Sequence, residues 1–147
     1  MKTLFAALLT IALSVPALAG EALSTRLAGD WQGVGVQADG QDWRMELTLL
    51  PVGATVNYPD EPCGGSWAFS SVKSGEVTGT EVISYGRDVC IDNSTVVLTD
   101  YDRGQLLILW KNLDGSDLAV AVLHRHGSRA EDYELDWDES RLAWKNR

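Results

Sequence analysis

The sequence predicts an all-β protein, an antiparallel up-and-down barrel of about eight strands. Short runs rich in Val, Leu and Thr are separated by Gly, Asp, Asn or Pro, as in proteins built from short strands and tight turns. Parallel strands need crossover connections of about a dozen residues or more, and these turns leave no room for them. Closing the sheet removes its exposed edges. A two-sheet sandwich has a similar strand count and stays open as the alternative.

The turns define the strands in order. Asp39-Gly40 is a hairpin signal, and Trp43, Met45 and Leu47 alternate with polar residues after it, which is typical of a strand buried on one face. Gly64-Gly65, Ser74-Gly75, Arg103-Gly104 and Asp114-Gly115 mark later turns or bends. The predicted strands cover residues 27–37, 43–49, 54–58, the segment around 67–69, 76–85, 95–99, 106–110 and 118–124.

The chain length and charge restrict the class of protein. A chain of 147 residues allows one domain with a sizeable core. The net charge of −9 argues against nucleic acid or an anionic membrane surface as a partner, because both would repel the protein. With two histidines in the chain, most hydrolytic mechanisms lack candidate bases.

The first residues have the pattern of a cleavable signal peptide. A short positive start with Lys2 precedes an apolar run over residues 4–15, and Ala17-Leu18-Ala19 is an A-x-A cleavage site. The run is shorter than the roughly 20 residues needed to span a bilayer. We therefore expect a signal peptide (residues 1–19), a β-barrel domain (20–126) and an acidic, aromatic tail (127–147), in a periplasmic or secreted protein without a membrane span.

Export determines how the two cysteines are interpreted. In an oxidising compartment, Cys63 and Cys90 are expected to form a structural disulfide. The bridge closes a loop of about 28 residues, which is worth roughly 3–4 kcal/mol in the chain-entropy model.

Two local patterns resemble known domains. Tyr58-Pro59, Cys63-Gly64-Gly65, Trp67, Glu81-x-Ile83, Gly86 and Cys90 occur in that order. The order resembles a recurrent β-barrel domain of bacterial exported proteins, which implies the fold and the disulfide and carries over no catalytic residue. Gly29-Asp30-Trp31 resembles the G-x-W that opens lipocalin-like barrels, where the tryptophan packs across the barrel floor.

The tail contains the residues that we expect to contact a partner. Acidic residues alternate with Tyr133, Leu135 and Trp137, which predicts a ninth strand or an extended arm, and residues 139–145 are open to a short helix. We expect the tail to pack on the outside of the barrel or to become ordered on a partner. Tyr133, Trp137 and Trp144 are the predicted binding residues, because exposed aromatic side chains mark contact surfaces.

Catalytic and metal sites are weaker alternatives. His124 and His126 would share one face of a strand, but a zinc site needs a third ligand that the sequence does not identify. The aspartates near turns are also common for backbone reasons. We therefore predict no metal, cofactor or catalytic residue. An enzyme that uses the acidic turns or the histidine pair remains an alternative; the turn aspartates are Asp88, Asp92, Asp100, Asp102, Asp114 and Asp117.

The tryptophans leave two interpretations of the barrel interior. Trp31, Trp43, Trp67 and Trp110 lie in strand patterns, and they either fill the interior or line a pocket. The predicted function is a non-enzymatic binding module for a protein partner or a small apolar ligand. An inhibitor of an exported hydrolase such as a lysozyme or protease is an alternative, since an acidic surface suits a basic target.

Overall fold

A computed structural model shows a closed barrel of eight antiparallel strands, in which the eighth strand pairs with the first. The structure describes residues 20–101, 104–127 and 132–147, with only the backbone for 132–137. The predicted signal peptide, residues 1–19, lies outside the described residues. The up-and-down barrel is confirmed, and the sandwich alternative is wrong because every strand pairs on both sides within one closed sheet.

The elements follow one another with short connections. A short helix precedes the strands and a longer helix follows them. In chain order they are α1 (Leu23–Arg26), β1 (Gly29–Gln37), β2 (Asp42–Leu50), β3 (Gly53–Tyr58), β4 (Cys63–Val72), β5 (Glu76–Tyr85), β6 (Thr95–Asp100), β7 (Leu106–Lys111), β8 (Asp117–Arg125) and α2 (Asp132–Lys145).

Strand alternation decides which side chains fill the interior. On β2, Met45 and Leu47 are buried inside the barrel, whereas Arg44 and Glu46 are exposed on its outer face. Leu98 on β6 and other large apolar side chains complete a packed core. Most of the interior is therefore solid. The inward residues with at most 2 % exposure include Leu49, Val77, Ile83, Val96, Leu106, Ile108 and Leu123.

One end of the barrel is closed by α1 and Trp31. Leu23 of α1 is fully buried, and its backbone N–H donates to the carbonyl oxygen of Lys73 at 2.8 Å. The Trp31 indole N–H donates to the Leu27 carbonyl oxygen at 3.0 Å, and the Arg125 guanidinium lies 4.3 Å from the centre of the Trp31 ring. Trp31 thus forms the floor of the barrel.

Helix α2 packs against the outside of β1 and β8 and occupies most of the predicted tail. Ala143 is buried against Val120 and Val122, so the expected packing on the barrel exterior is confirmed. The expected ninth strand is wrong, because the segment is helical from Asp132. A closed barrel has no free edge with which a ninth strand can pair.

Ser140 connects α2 to the seam of the barrel. Its hydroxyl donates to the carbonyl oxygen of Val34 on β1 at 2.6 Å and accepts from the backbone N–H of Val122 on β8 at 3.1 Å. Both groups are buried, and Val34 and Val122 are register partners. One side chain therefore satisfies a donor and an acceptor at the strand pair that closes the barrel.

Replacing Ser140 with alanine is expected to destabilise the protein by about 2–4 kcal/mol, because it leaves a buried N–H and a buried carbonyl without this partner. Chemical denaturation measures the loss. Ser66→Ala on the exposed face of β4 is the matched control and is expected to change the stability by less than about 0.5 kcal/mol. Equal stability of the two variants would show that the hydroxyl does not fasten the helix.

Candidate functional site

The opposite end of the barrel is open. We call it the mouth; it is formed by the connections over residues 38–41, 59–62, 86–94 and 112–116. A cavity of about 180 Å³ enters the barrel there and is open to solvent. Its walls include the side chains that matter for the chemistry of the site, which are Trp43, Tyr58, Glu61, Glu81, Ile91 and Trp110.

Glu81 reaches this cavity because of its position on β5. Val77, Glu81 and Ile83 lie on the inward face of the strand, and each is at most 4 % exposed. The backbone N–H of Glu81 donates to the carbonyl oxygen of Ser94, and the Glu81 carbonyl accepts from the N–H of Asn93. The strand therefore fixes a carboxylate at a position where an apolar side chain is the rule.

Three side chains donate hydrogen bonds to the Glu81 carboxylate. The Tyr58 hydroxyl on β3 and the Trp67 indole N–H on β4 donate to Oε1, the latter at 2.9 Å. The Trp110 indole N–H on β7 donates to Oε2 at 3.2 Å. Three strands besides β5 thus hold one carboxylate, and all of the donors are neutral groups.

Burial controls the ionisation of this cluster. Desolvation raises the pKa of Glu81, while the hydrogen bonds from Tyr58, Trp67 and Trp110 favour the charged form and oppose that rise. Burial, followed by the charge of Glu81 and the hydrogen bond to it, raises the pKa of Tyr58 well above its usual value. The Tyr58 hydroxyl therefore stays protonated and remains a donor at neutral pH.

The indole rings form a line from the cluster to solvent. Trp67 and Trp110 meet edge to face, with ring centres 5.9 Å apart, and Trp110 and Trp43 meet in the same way at 6.1 Å. Trp67 and Trp110 are at most 3 % exposed, whereas Trp43 is half-buried at the mouth. Of the two interpretations of the tryptophans, filling of the interior applies to Trp31 and Trp67, whereas Trp43 and Trp110 line the cavity.

The disulfide positions one wall of the cavity. Cys63 at the start of β4 is bonded to Cys90, which lies in the connection over residues 86–94 that we call the disulfide loop. The predicted bridge is confirmed. Gly86 begins this loop with a φ of 68°, and a Cβ there would overlap the Pro62 carbonyl oxygen and Cys63. Glycine is required for the loop to pass so close to the bridge.

The mouth is acidic and its buried carboxylate has no cation beside it. The four mouth connections contain six carboxylates and one basic residue, Arg87. Among the described residues, those that line the cavity include no lysine, arginine or histidine. The ion pairs formed by the described residues do not involve Glu81. In the described part of the chain, the hydrogen-bond donors to the Glu81 carboxylate are therefore neutral dipoles.

The predicted binding residues lie on α2, and Trp144 is not among the residues that line the mouth cavity. Trp144 is partly buried against the outer face of the barrel, where it packs with the cluster of Leu109 and Val120. Tyr133 and Trp137 are helical in their backbone, and their side chains lie outside the described part of the structure. The structure therefore gives Trp144 a packing role.

The structure does not group the two histidines with the described turn aspartates into a site. His124 is half-buried with its Nε2 3.0 Å from Nε2 of Gln105, whereas His126 is exposed beyond the end of β8. Among the residues whose side chains the structure describes, 20–101, 104–127 and 138–147, no three His, Cys, Asp or Glu residues are grouped to hold a metal ion. Asp114 accepts the backbone N–H of Ser116 in its turn, and Asp92 accepts the backbone N–H groups of Asn93 and of Ile83 on β5. Asp102 lies outside the described residues.

Sequence reasoning missed Glu81 as a site residue. The sequence did indicate it: Glu81 lies an even number of residues from the apolar Val77 and Ile83 on the same strand. Strand alternation therefore places the Glu81 side chain inside the barrel. Tyr58, Trp67 and Glu81 all belong to the pattern that we interpreted as architectural, and the structure joins them in one hydrogen-bonded cluster.

The fold and the cluster define the class of this protein as a closed up-and-down β-barrel with a buried glutamate at the base of an open, aromatic mouth. No family model, curated protein or solved structure matches the chain. Within the described residues, no helix is both long and apolar enough to cross a membrane.

The raised pKa of Glu81 predicts a specific pH dependence of stability. A carboxyl whose folded pKa exceeds its unfolded pKa contributes stability that is complete below the unfolded value and is lost as the pH rises through the folded value. The stability advantage of the wild type over Glu81→Gln is therefore expected to shrink from about pH 4 upwards. Denaturation of both proteins across this range measures the difference. A gap that stays constant or widens with pH would contradict a raised pKa.

Proposed function

We propose that this protein is a non-enzymatic binding module that takes a small ligand into the mouth of its barrel. The observation that carries the proposal is the open cavity of about 180 Å³ whose walls include Trp43, Trp110 and Glu81. Small-molecule sites are concave, largely apolar and supplied with a few fixed polar groups, and the mouth has each of these properties.

The rigidity of the cluster supports binding rather than catalysis. Glu81 is fixed by three donors on three strands, which suits a group that orients a ligand. The packed core and the Trp31 floor close the other end, so that a ligand enters from the mouth. The disulfide loop supplies part of the entrance, and the disulfide also supports our proposal that the protein works in an oxidising, exported compartment.

Titration with benzyl alcohol, a small neutral aromatic probe, tests the location of the site. Two-dimensional NMR of the indole N–H groups is expected to show shifts at Trp110 and Trp43, and no shift at Trp31 on the closed floor. Ala119→Leu, which places a larger side chain in the cavity wall, is expected to abolish the shifts. Ala68→Leu on the exposed face of β4 is the control that retains them. Shifts scattered over all tryptophans, or none, would count against a mouth site.

A second candidate function is contact with a basic protein at the rim of the mouth. Val89, Ile91 and Leu113 expose 45 %, 54 % and 88 % of their surface there, among the acidic residues of the mouth connections. An apolar patch within a negative field is a surface that suits a basic hydrolase, the inhibitor alternative.

Inhibition of lysozyme, a basic hydrolase, tests this second function. A salt-sensitive complex is expected, and Ile91→Ser with Leu113→Ser is expected to weaken it at least about tenfold. Val52→Ser, at an apolar residue that is 82 % exposed at the other end of the barrel, is the matched control. If lysozyme keeps its full activity in an excess of this protein at low salt, lysozyme is not its target.

A further inference from the structure

We propose that the ligand of the mouth is a small organic cation, an ammonium group attached to an apolar or aromatic body, which Glu81 and the indole rings recognise together. This inference rests on the proposed binding function and specifies the chemical class of the ligand. Its basis is the arrangement of charge, acceptor sites and aromatic surface around the cavity.

The Glu81 carboxylate has acceptor capacity beyond its three hydrogen bonds. A carboxylate has about four lone-pair sites, two on each oxygen. Tyr58 and Trp67 occupy Oε1, and Trp110 occupies one site of Oε2. One acceptor site on Oε2 is left for a ligand, and Glu81 itself lines the cavity. The ligand therefore approaches with a hydrogen-bond donor.

The charges around the cavity favour a cationic ligand. The three donors on Glu81 are neutral, and the described residues that line the cavity include no basic side chain. A buried carboxylate is normally paired with a cation, because desolvation of an unpaired charge is costly. Asp60 and Asp92 of the mouth connections pair with Arg44 and Arg87, whereas Glu61 at the cavity wall adds negative potential in the same direction as Glu81. A ligand with a positively charged hydrogen-bond donor is attracted by this negative potential, whereas an anionic ligand is repelled by it.

The aromatic surface and the size of the cavity suit an ammonium group on a small apolar body. Trp43 and Trp110 line the walls, and indole faces attract cations as well as apolar groups. A volume of about 180 Å³ equals about six water molecules at roughly 30 Å³ each. The cavity accommodates an ammonium head and a short body, and a longer body extends into solvent past Ile91.

Benzylammonium and benzyl alcohol form a matched pair of probes, because they have the same number of heavy atoms and differ in charge. Calorimetry at neutral pH and low salt is expected to show that the wild type binds benzylammonium about 10- to 100-fold more tightly than benzyl alcohol, the range for a hydrogen bond to a charged group. Benzoate is expected to bind more weakly than either.

Glu81→Gln tests the assignment to this carboxylate. The glutamine oxygen keeps acceptor sites for Tyr58 and Trp67 and loses the partner of Trp110, so the fold is expected to persist. In this variant, the affinity for benzylammonium is expected to fall to within about twofold of the affinity for benzyl alcohol. Glu76→Gln, an equal loss of charge at the exposed start of the same strand, is expected to keep the wild-type preference.

The outcomes separate this inference from the proposed function. Equal binding of benzylammonium and benzyl alcohol at the mouth would overturn the cation inference and leave the binding module intact. Failure of all three probes to bind would overturn both. A preference that survives in Glu81→Gln and is lost in Glu76→Gln would also overturn the assignment. Because the comparison of probes is made on the wild type, it holds even where a Glu81 variant does not fold.

Discussion

Glu81→Ala is expected to reduce the free energy of unfolding by about 3–5 kcal/mol. The substitution leaves the Tyr58 hydroxyl and two indole N–H groups, those of Trp67 and Trp110, without their buried acceptor. Each orphaned donor costs about 1–3 kcal/mol, and relief from the desolvated carboxylate offsets part of the sum. Equilibrium unfolding in urea at pH 7 measures the loss.

The controls separate the cluster from the general effect of losing a charge. Glu76→Ala lies on the same strand in an exposed position and is expected to change the stability by less than about 0.5 kcal/mol. Glu81→Gln retains an acceptor and is expected to fall between the two. A Glu81→Ala protein as stable as the wild type would show that water from the mouth satisfies the three donors and that the carboxylate contributes nothing to the fold.

Replacing both cysteines by alanine is expected to cost about 3–4 kcal/mol of stability. The bridge between Cys63 and Cys90 spans a sequence separation of 27 residues and restricts the unfolded chain by closing that loop. It also holds the disulfide loop against the start of β4, so the double variant is expected to bind benzylammonium several-fold more weakly as well. Denaturation of the oxidised wild type and the double variant gives the difference.

Reduction of the wild type provides an independent comparison. A thiol reductant is expected to lower the stability of the wild type toward that of the Cys63→Ala, Cys90→Ala protein and to leave the variant unchanged. If the reduced wild type and the variant were as stable as the oxidised protein, the loop would be held by its other contacts, such as the hydrogen bonds of Asn93 and Ser94 with Glu81.

These expectations describe a barrel with two different ends. At the floor, Trp31 is covered by α1 and by the Arg125 guanidinium, and the core above it is tightly packed. At the mouth, the aromatic side chains enclose a cavity and a carboxylate instead of closing over each other. The packed floor thus stabilises the barrel at one end, and the candidate site lies at the mouth.

The strands were predictable because strand periodicity is local. Alternation around Met45 and Leu47 placed the right side chains inside, and the predicted boundaries of most strands lie within two residues of those observed. The same rule failed in the tail, where Tyr133, Leu135 and Trp137 alternate and yet the backbone is helical. Because β1 pairs with β8, the closed sheet has no free edge for a ninth strand.

The candidate site was only partly predictable. That Glu81 lies on an inward-facing position follows from its spacing to Val77 and Ile83 on β5. Its donors come from β3, β4 and β7, and no local pattern states which of those strands lie opposite one another or at what height in the barrel. Strand register and barrel closure decide that, and they bring Tyr58, Trp67 and Trp110 to one carboxylate.

The sequence by itself determined the all-β class, the eight-stranded meander, the inward face of most strands and the pairing of two cysteines, because these depend on side-chain period, turn chemistry and cysteine count. The tertiary structure alone decided that the tail is a helix fastened by Ser140 and that the mouth holds a three-donor carboxylate beside a cavity. Both depend on contacts between segments far apart in the chain, which form only when the barrel closes.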